Sequence, residues 1–168
     1  MDYTTCEYYD VVPEPIPSGM RVSLIRKRFA APVRHTPEEY DFPDRLFRDH
    51  WKGAFAYGIE KDGRLLAAIE LFEESWAKRL RVTELWVDES LRRRGTGSRL
   101  MDIAKAETVS KGLRMLILET QSCNTAAIDF YRSQGLTLVG LSACDYTNDD
   151  IARKEVRFEM GWFVPAKS

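Results

Sequence analysis

Between Leu80 and Thr120 the spacing of apolar residues changes period twice. "LRVTELWV" alternates as a strand does. Leu100, Met101 and Ala104 then recur at helical spacing within Thr96 to Lys111, a helix of about four turns that Gly112 stops. "RMLILET" follows as an apolar run that reads as a buried strand. A strand, a helix and a second strand joined this closely make a crossover, which sets two parallel strands in one sheet.

Around that unit the chain reads as hairpins. "AFAYGIE" and "RLLAAIELFEE" are apolar strands joined by Lys61-Asp62-Gly63, a strong hairpin signal. Asn124 is placed to cap the helix "TAAIDFYRSQ", which Gly135 ends, and "LTLVGLSA" and "EVRFEMGWF" predict two more strands. "PDRLFRDHW", residues 43–51, predicts a short helix opened by Pro43, with Leu46, Phe47 and His50 on one side. "MRVSLIRKRF" is expected as the first strand, with Val22, Leu24 and Ile25 inward. Residues 1–20, holding Pro13, Pro15, Pro17 and Ser18-Gly19, read as an irregular entry segment. Hairpins plus one crossover imply a mixed sheet in an α/β or α+β fold, in a single domain spanning 1–168.

Composition removes several classes. The 25 basic and 26 acidic residues leave a net charge of −1, which argues against a globally basic nucleic-acid binder. The start, MDYTTCEYYD, has neither the basic nor the apolar region of a secretory signal, and no apolar run approaches a membrane span. Cys6, Cys123 and Cys144 are odd in number and lack CxxC spacing, which favours reduced thiols in a cytoplasmic protein over a disulfide framework or zinc site. No metal-ligand spacing is legible, and His35 and His50 have no partner pattern.

The stretch "VDESLRRRGTGSRLM" sits where the strand gives way to the helix. A helix N-terminus offers amides without intrahelical partners and the positive end of a dipole, so it can hold an anion. Gly95 and Gly97 would let a pyrophosphate approach the backbone with no Cβ in the way, and Arg92, Arg93 and Arg94 would add charge-assisted bonds. Taken alone, the pattern also suits a charged loop with a glycine turn. Neither GxGxxG nor GxxxxGK[ST] is present, which argues against nicotinamide and nucleoside triphosphate sites.

Two blocks together are more specific. With Arg92, Gly95 and Gly97 in the pattern [QR]-x-x-G-x-[GA], and Asn124, Ala127, Tyr131 and Gly135 in Asn-x-x-A-x-x-x-Tyr-x-x-x-Gly, the chain resembles the GCN5-related N-acetyltransferases. The blocks cover roughly residues 80–142. The resemblance implies a mostly antiparallel central sheet with helices on both faces, and acetyl-CoA as cosubstrate. Its pyrophosphate is expected on residues Arg92, Arg93, Arg94, Gly95, Thr96, Gly97 and Ser98, and its pantetheine arm beside Asn124 and Ala127. Tyr131 is implied as the group that protonates the departing thiolate. "SWAKRLRVTELWVDESLRRRGTGSRLM" and "ETQSCNTAAIDFYRSQGLTLVGLSACDYTND" are most similar to the streptothricin acetyltransferases, which act in antibiotic resistance.

Acetyl transfer to an amine needs a neutral nitrogen, a polarised thioester carbonyl and a proton for the thiolate. Main-chain groups of Leu85, Trp86 and Val87 are expected to meet the cofactor arm and the thioester oxygen. Tyr131 lies two helical turns after Asn124, and a phenol of ordinary pKa about 10 can donate to a thiolate. Glu84 is the candidate base, or a holder of a cationic substrate, unless it is an ordinary exposed strand glutamate. By alternation it shares a face with Trp86, opposite Leu85 and Val87. Asp145, Tyr146, Asp149 and Asp150 suit a cationic acceptor, and a solvated turn is the other reading of that loop. Trp76 and Trp86 read as substrate platforms or as packing.

The expected function is transfer of acetyl to a primary amine of a small cationic molecule, a streptothricin-type antibiotic the first to test. A protein or peptide amine as acceptor, or a non-catalytic acyl-CoA-binding module, are the alternatives. Neither nucleic acid nor membrane is expected as a partner, and a homodimer is allowed.

Overall fold

In the computed structural model, which describes residues 3–36 and 46–166, the chain opens as strand β1 (Tyr3–Ile16) paired antiparallel with β2 (Gly19–His35). There follow β3 (Phe55–Lys61), β4 (Arg64–Glu74), β5 (Arg79–Val87), α1 (Thr96–Ser110) and β6 (Met115–Gln121). Helix α2 (Thr125–Ser133), β7 (Thr137–Ser142), the single-turn α3 (Asp150–Arg153) and β8 (Arg157–Phe163) complete the order. β1 and β2 form a two-stranded ribbon, and the other six strands form a sheet in the order β3-β4-β5-β6-β8-β7. β3–β4 and β4–β5 are antiparallel, whereas β5 and β6 run parallel across the α1 crossover. The fold is therefore mixed α+β, as the periodicity implied.

By its contacts the chain divides into two compact units. The first comprises Met1–Asp44, Thr120–Ser133 and Leu138–Glu159, and the second Arg45–Glu119, Gln134–Thr137 and Met160–Ser168. The first packs around Val11, Ile128, Val156 and Phe158, with Tyr9, Leu24 and Ile151 against them. In the second, Ile69, Leu71, Leu80, Met101, Ala104 and Leu116 have no exposed surface. Burying each large aliphatic side chain contributes about 1.5–3 kcal/mol. The Asp62-Gly63 hairpin is present, with Lys61 opposite Arg64 and both turn residues at positive φ (52° and 73°). That is the conformation a two-residue turn needs to match the strands' twist.

Three expectations change. Residues 3–16 are a strand, not an irregular entry. Pro13 and Pro15 lie two apart, so both fall on the same edge of β1, and a two-stranded ribbon has an outer edge where no ladder N–H is needed. Val22 and Ile25 are exposed, because one face of so thin a ribbon meets solvent; Leu24 alone of the three reaches the core. The helix expected at 43–51 does not form over residues 46–51, which are bends and turns, with Phe47 at φ 56°. Residues 43–45 of that expectation lie outside the described residues.

Asp10 ties the first unit together, receiving Lys27 Nζ at 2.6 Å and Lys154 Nζ at 2.7 Å. These two bonds hold its carboxyl below the usual aspartate range, Lys154 contributing most. A depressed folded pKa gives stability that is present above the unfolded value of 3.8 and lost as pH falls through the folded one. Asp10→Asn should thus cost about 2 kcal/mol at pH 7. Urea unfolding should show the gap between the two proteins steady at pH 5 and closing only below pH 3.8.

Candidate active site

Strand β5 leaves the sheet at Val87, and a short 3-10 turn (Glu89–Leu91) carries the chain toward α1. Asp88 organises this turn, accepting from Ser90 N (3.0 Å), Ser90 Oγ (2.6 Å) and Arg64 Nη2 (2.7 Å). The Ser90 hydroxyl, then the Ser90 amide, then Arg64 hold the Asp88 carboxyl below its ordinary range. Arg92 folds back to donate Nε to Val87 O at 3.1 Å. Arg93 and Gly95 both take left-handed backbone, φ 59° and 80°. Arg92, Arg93 and Arg94 are all exposed.

Gly95 is the N-cap of α1, and its lack of a Cβ makes that left-handed turn inexpensive. No side chain caps the helix, and no acidic residue stands in its first turn. The first intrahelical bond runs from Arg99 N to Gly95 O, 3.0 Å. The amides of Thr96, Gly97 and Ser98 precede it, outside the ladder. Amides, dipole and arginines all carry the same sign, so residues 92–98 form a site that favours an anion.

Upstream on the same strand, Glu84 is half-buried and bonded by Arg48 Nη2 at 3.2 Å. Leu85, Trp86 and Val87 are half-buried and lie opposite Ile69, Ala68 and Ala67 of β4. Trp76 is 83% exposed in the turn between β4 and β5, beneath the Arg79 guanidinium. Arg79 and Glu84 are five positions apart along β5, roughly 16 Å at the usual rise. Trp76 therefore lies at the Arg79 end of β5 and not beside Glu84, exposed and not packed in the core.

In the first unit, Asn124 Oδ1 accepts from Ala127 N at 3.2 Å, the expected cap of α2. That bond occupies the amide oxygen and leaves the Nδ2 donors for another partner. Tyr131 is half-buried, two turns along α2, with its ring 5.5 Å from that of Phe130. A groove of about 510 Å³ is lined by Thr5, Glu7 and Arg28 of the ribbon and by Asn124 and Thr125. Sequence reasoning missed the ribbon's share in it, because the ribbon itself was read as irregular.

The acidic loop is mostly engaged in its own structure. Asp150 has no exposed surface; it accepts from Tyr146 N (3.1 Å), Thr147 N (2.7 Å) and Thr147 Oγ1 (2.8 Å). It is a loop-closing residue, which corrects its reading as a substrate contact. Asp145 is ion-paired with Arg157 at 3.2 Å, Tyr146 is half-buried, and Asp149 is exposed. His35 is buried against the Tyr3 ring, 4.9 Å between centroids, and 3.8 Å from Glu155. Among the described residues no group of three or more His, Cys, Asp or Glu could hold a metal, and no helix is long and apolar enough to cross a membrane.

Residues 22–136 match the model of the Acetyltransferase (GNAT) family, and the chain belongs to that family. It is 29% identical over 111 residues to streptothricin acetyltransferase of Escherichia coli, an alignment that covers 66% of this chain and 63% of that relative, less than two thirds of its length. The crystal structure of nourseothricin acetyltransferase superposes with a TM-score of 0.73 at 25% identity, over 98% of this chain and 88% of the other. A Bacillus anthracis protein assigned as a streptothricin acetyltransferase, solved with acetyl coenzyme A, shares the fold at TM-score 0.72 and 18% identity, over 98% and 87%.

The acidic loop gives a direct test. Asp150→Ala leaves two backbone amides without their acceptor, and should cost about 2–3 kcal/mol in urea unfolding. Asp149→Asn, at an exposed position, should stay within about 0.5 kcal/mol of the parent.

Proposed function

We propose that this protein transfers the acetyl group of acetyl-CoA to a primary amine of a small cationic molecule, with streptothricin-type antibiotics, and hence resistance to them, as the first case to test. One observation carries the reading: an uncapped helix opening at a left-handed glycine, its first-turn amides outside the ladder, beside three exposed arginines. Membership of the acetyltransferase family supports it, as does the likeness to streptothricin and nourseothricin acetyltransferases. The residues fit the cosubstrate's pyrophosphate in charge and in donor geometry, since every group they offer is a donor or a cation.

Acetyl-CoA supplies an activated acyl group; the protein's part is positioning and proton transfer. In this reading the amides of residues 96–98 and the arginine heads take the pyrophosphate, while Asn124 and Ala127 lie beside the pantetheine arm. Main-chain groups of Leu85, Trp86 and Val87 orient that arm and polarise the thioester carbonyl. The new bond forms between the amine nitrogen and the carbonyl carbon, and the C–S bond breaks. The phenol of Tyr131 gives its proton to the departing sulfur, and the amine's proton leaves through Glu84 or a water beside it. Glu84 offers a carboxylate for a cationic acceptor, and Asp149 is the exposed acid proposed for the same role.

Thiol release from acetyl-CoA, measured against a panel of amines that includes a β-lysine-bearing antibiotic and a peptide N-terminus, tests the reading. No release with any amine ends it, and release with the peptide alone moves the acceptor to protein. Gly97→Leu raises helix propensity while filling the space over the amides, so the variant should fold and yet bind CoA at least about tenfold more weakly by calorimetry. Tyr131→Phe should lower kcat about 100-fold with CoA affinity nearly unchanged. A phenylalanine variant that turns over at the parent's rate would mean that another group donates the proton.

A further inference from the structure

From Ala67 to Leu71 strand β4 is buried on both faces, and Glu70 is the charged residue in that run, with no exposed surface. An ionised carboxylate in such a place costs several kcal/mol unless donors meet its oxygens. Two do. Thr83 Oγ1 donates to Oε1 at 2.6 Å, and the Phe47 amide donates to Oε2.

The identity of these donors is informative. Thr83 directly precedes Glu84, and Phe47 directly precedes Arg48; Glu84 and Arg48 are the pair that meets at 3.2 Å. Glu70 also stands directly opposite Glu84 across the β4–β5 ladder, while the next pair is Leu71 with Val82. Thr83 is therefore the extra residue of a bulge, a device that re-aims neighbouring side chains. Phe47 is left-handed, a conformation that costs a bulky residue about 1–2 kcal/mol. The bond to Glu70 holds it there, and Arg48 is then buried, 7% exposed.

We propose that Glu70 is a positioning residue for Glu84: by fixing the bulge at Thr83 and the turn at Phe47, it sets the geometry in which Arg48 holds the Glu84 carboxylate toward a cationic acceptor. The consequence for turnover rests on the acetyltransferase reading above; the structural half does not.

The test uses Glu70→Gln, Glu70→Ala and Thr83→Val, each alone and with Glu84→Gln, in the full chain. Kinetics on the cationic acceptor are paired with NMR exchange of the Phe47 amide in protein without ligand. Glutamine can accept from Phe47 with its carbonyl and donate to the Thr83 oxygen with its NH₂. Glu70→Gln should thus stay within about threefold of the parent in kcat/KM and keep the Phe47 amide protected. Glu70→Ala and Thr83→Val should each lower kcat/KM about tenfold, mainly through KM, and lose little more when Glu84 is already glutamine. Phe47 exchange should quicken about tenfold or more in Glu70→Ala.

Losses that simply add in the Glu84→Gln background overturn the proposal, as does unchanged Phe47 exchange in Glu70→Ala. A Glu70→Gln variant as impaired as Glu70→Ala also overturns it, because the charge itself would then be the acting part. Should Glu70→Ala not fold, Thr83→Val at its half-buried bulge carries the cycle, and Glu70→Met, which keeps the volume and removes both acceptors, carries the exchange measurement with the same expected quickening. A parent protein that releases no thiol with any amine ends the functional reading, and Phe47 exchange still decides the positioning.

Discussion

Helix α1 starts with no side chain bonded to its first amides, and the anion-favouring character of residues 92–98 depends on that. An ordinary N-cap side chain stabilises a helix by about 1 kcal/mol, and acidic residues in the first turn add to it. Here the cap is glycine, the first turn holds no acid, and Arg92, Arg93 and Arg94 stand just ahead with the unfavourable sign. The same chain caps α2 in the normal way, with Asn124 bonded to Ala127 N. Tertiary packing has to hold α1 in place, and Leu100, Met101 and Ala104 provide it by burying its inner face. An anion at the open end would relieve what the helix leaves unsatisfied, so the local instability is also the binding potential.

What could be read from the sequence was chemistry whose cause lies within a few residues. Asp62-Gly63 specify their own turn, Asn124 its own cap, and Gly112 and Gly135 follow the ends of α1 and α2. The crossover was legible because the period of its apolar residues changes with each element. β1 was not, because Pro13 and Pro15 look like breakers unless one knows that they fall on the edge of the strand that faces away from β2. Phe47 and Glu70 were missed for the same reason. An amide and a carboxylate 23 residues apart carry no local sign that they will bond.

Charge composition was a still weaker guide, because carboxylates of one sequence appearance have different duties once folded. Asp150 closes a loop, Asp10 holds two lysines, and Glu74 is bonded to Arg79 and Arg81. Burial raises the Glu74 pKa, and the Arg81 and Arg79 bonds outweigh it, leaving the carboxyl below its ordinary range. A field meant for a cationic acceptor therefore cannot be inferred from the density of acids over the six residues 145–150. It depends on which acids stay exposed or half-buried, and within that loop Asp149 is exposed while Asp150 is not.

The bulge at Thr83 shows how one residue changes what a strand presents. With strict alternation Val82 and Glu84 would share a face. The register instead sets Val82 opposite Leu71 and Glu84 opposite Glu70, neighbours on β4 that point to opposite sides. The insertion thus reverses the strand's alternation midway, as a slip of one residue must. Leu80 and Val82 before it, and Leu85 and Val87 after it, keep one face apolar. Arg79, Arg81, Glu84 and Trp86 fall on the other with Glu70 and Glu74. Were Thr83 paired in the ladder instead of bulged, Glu84 and Trp86 would enter the apolar face and Leu85 and Val87 would leave it. The strand can carry a core on one side and a charged stripe on the other along its whole length because a single residue is out of register, and the hydroxyl of that residue is bonded to Glu70.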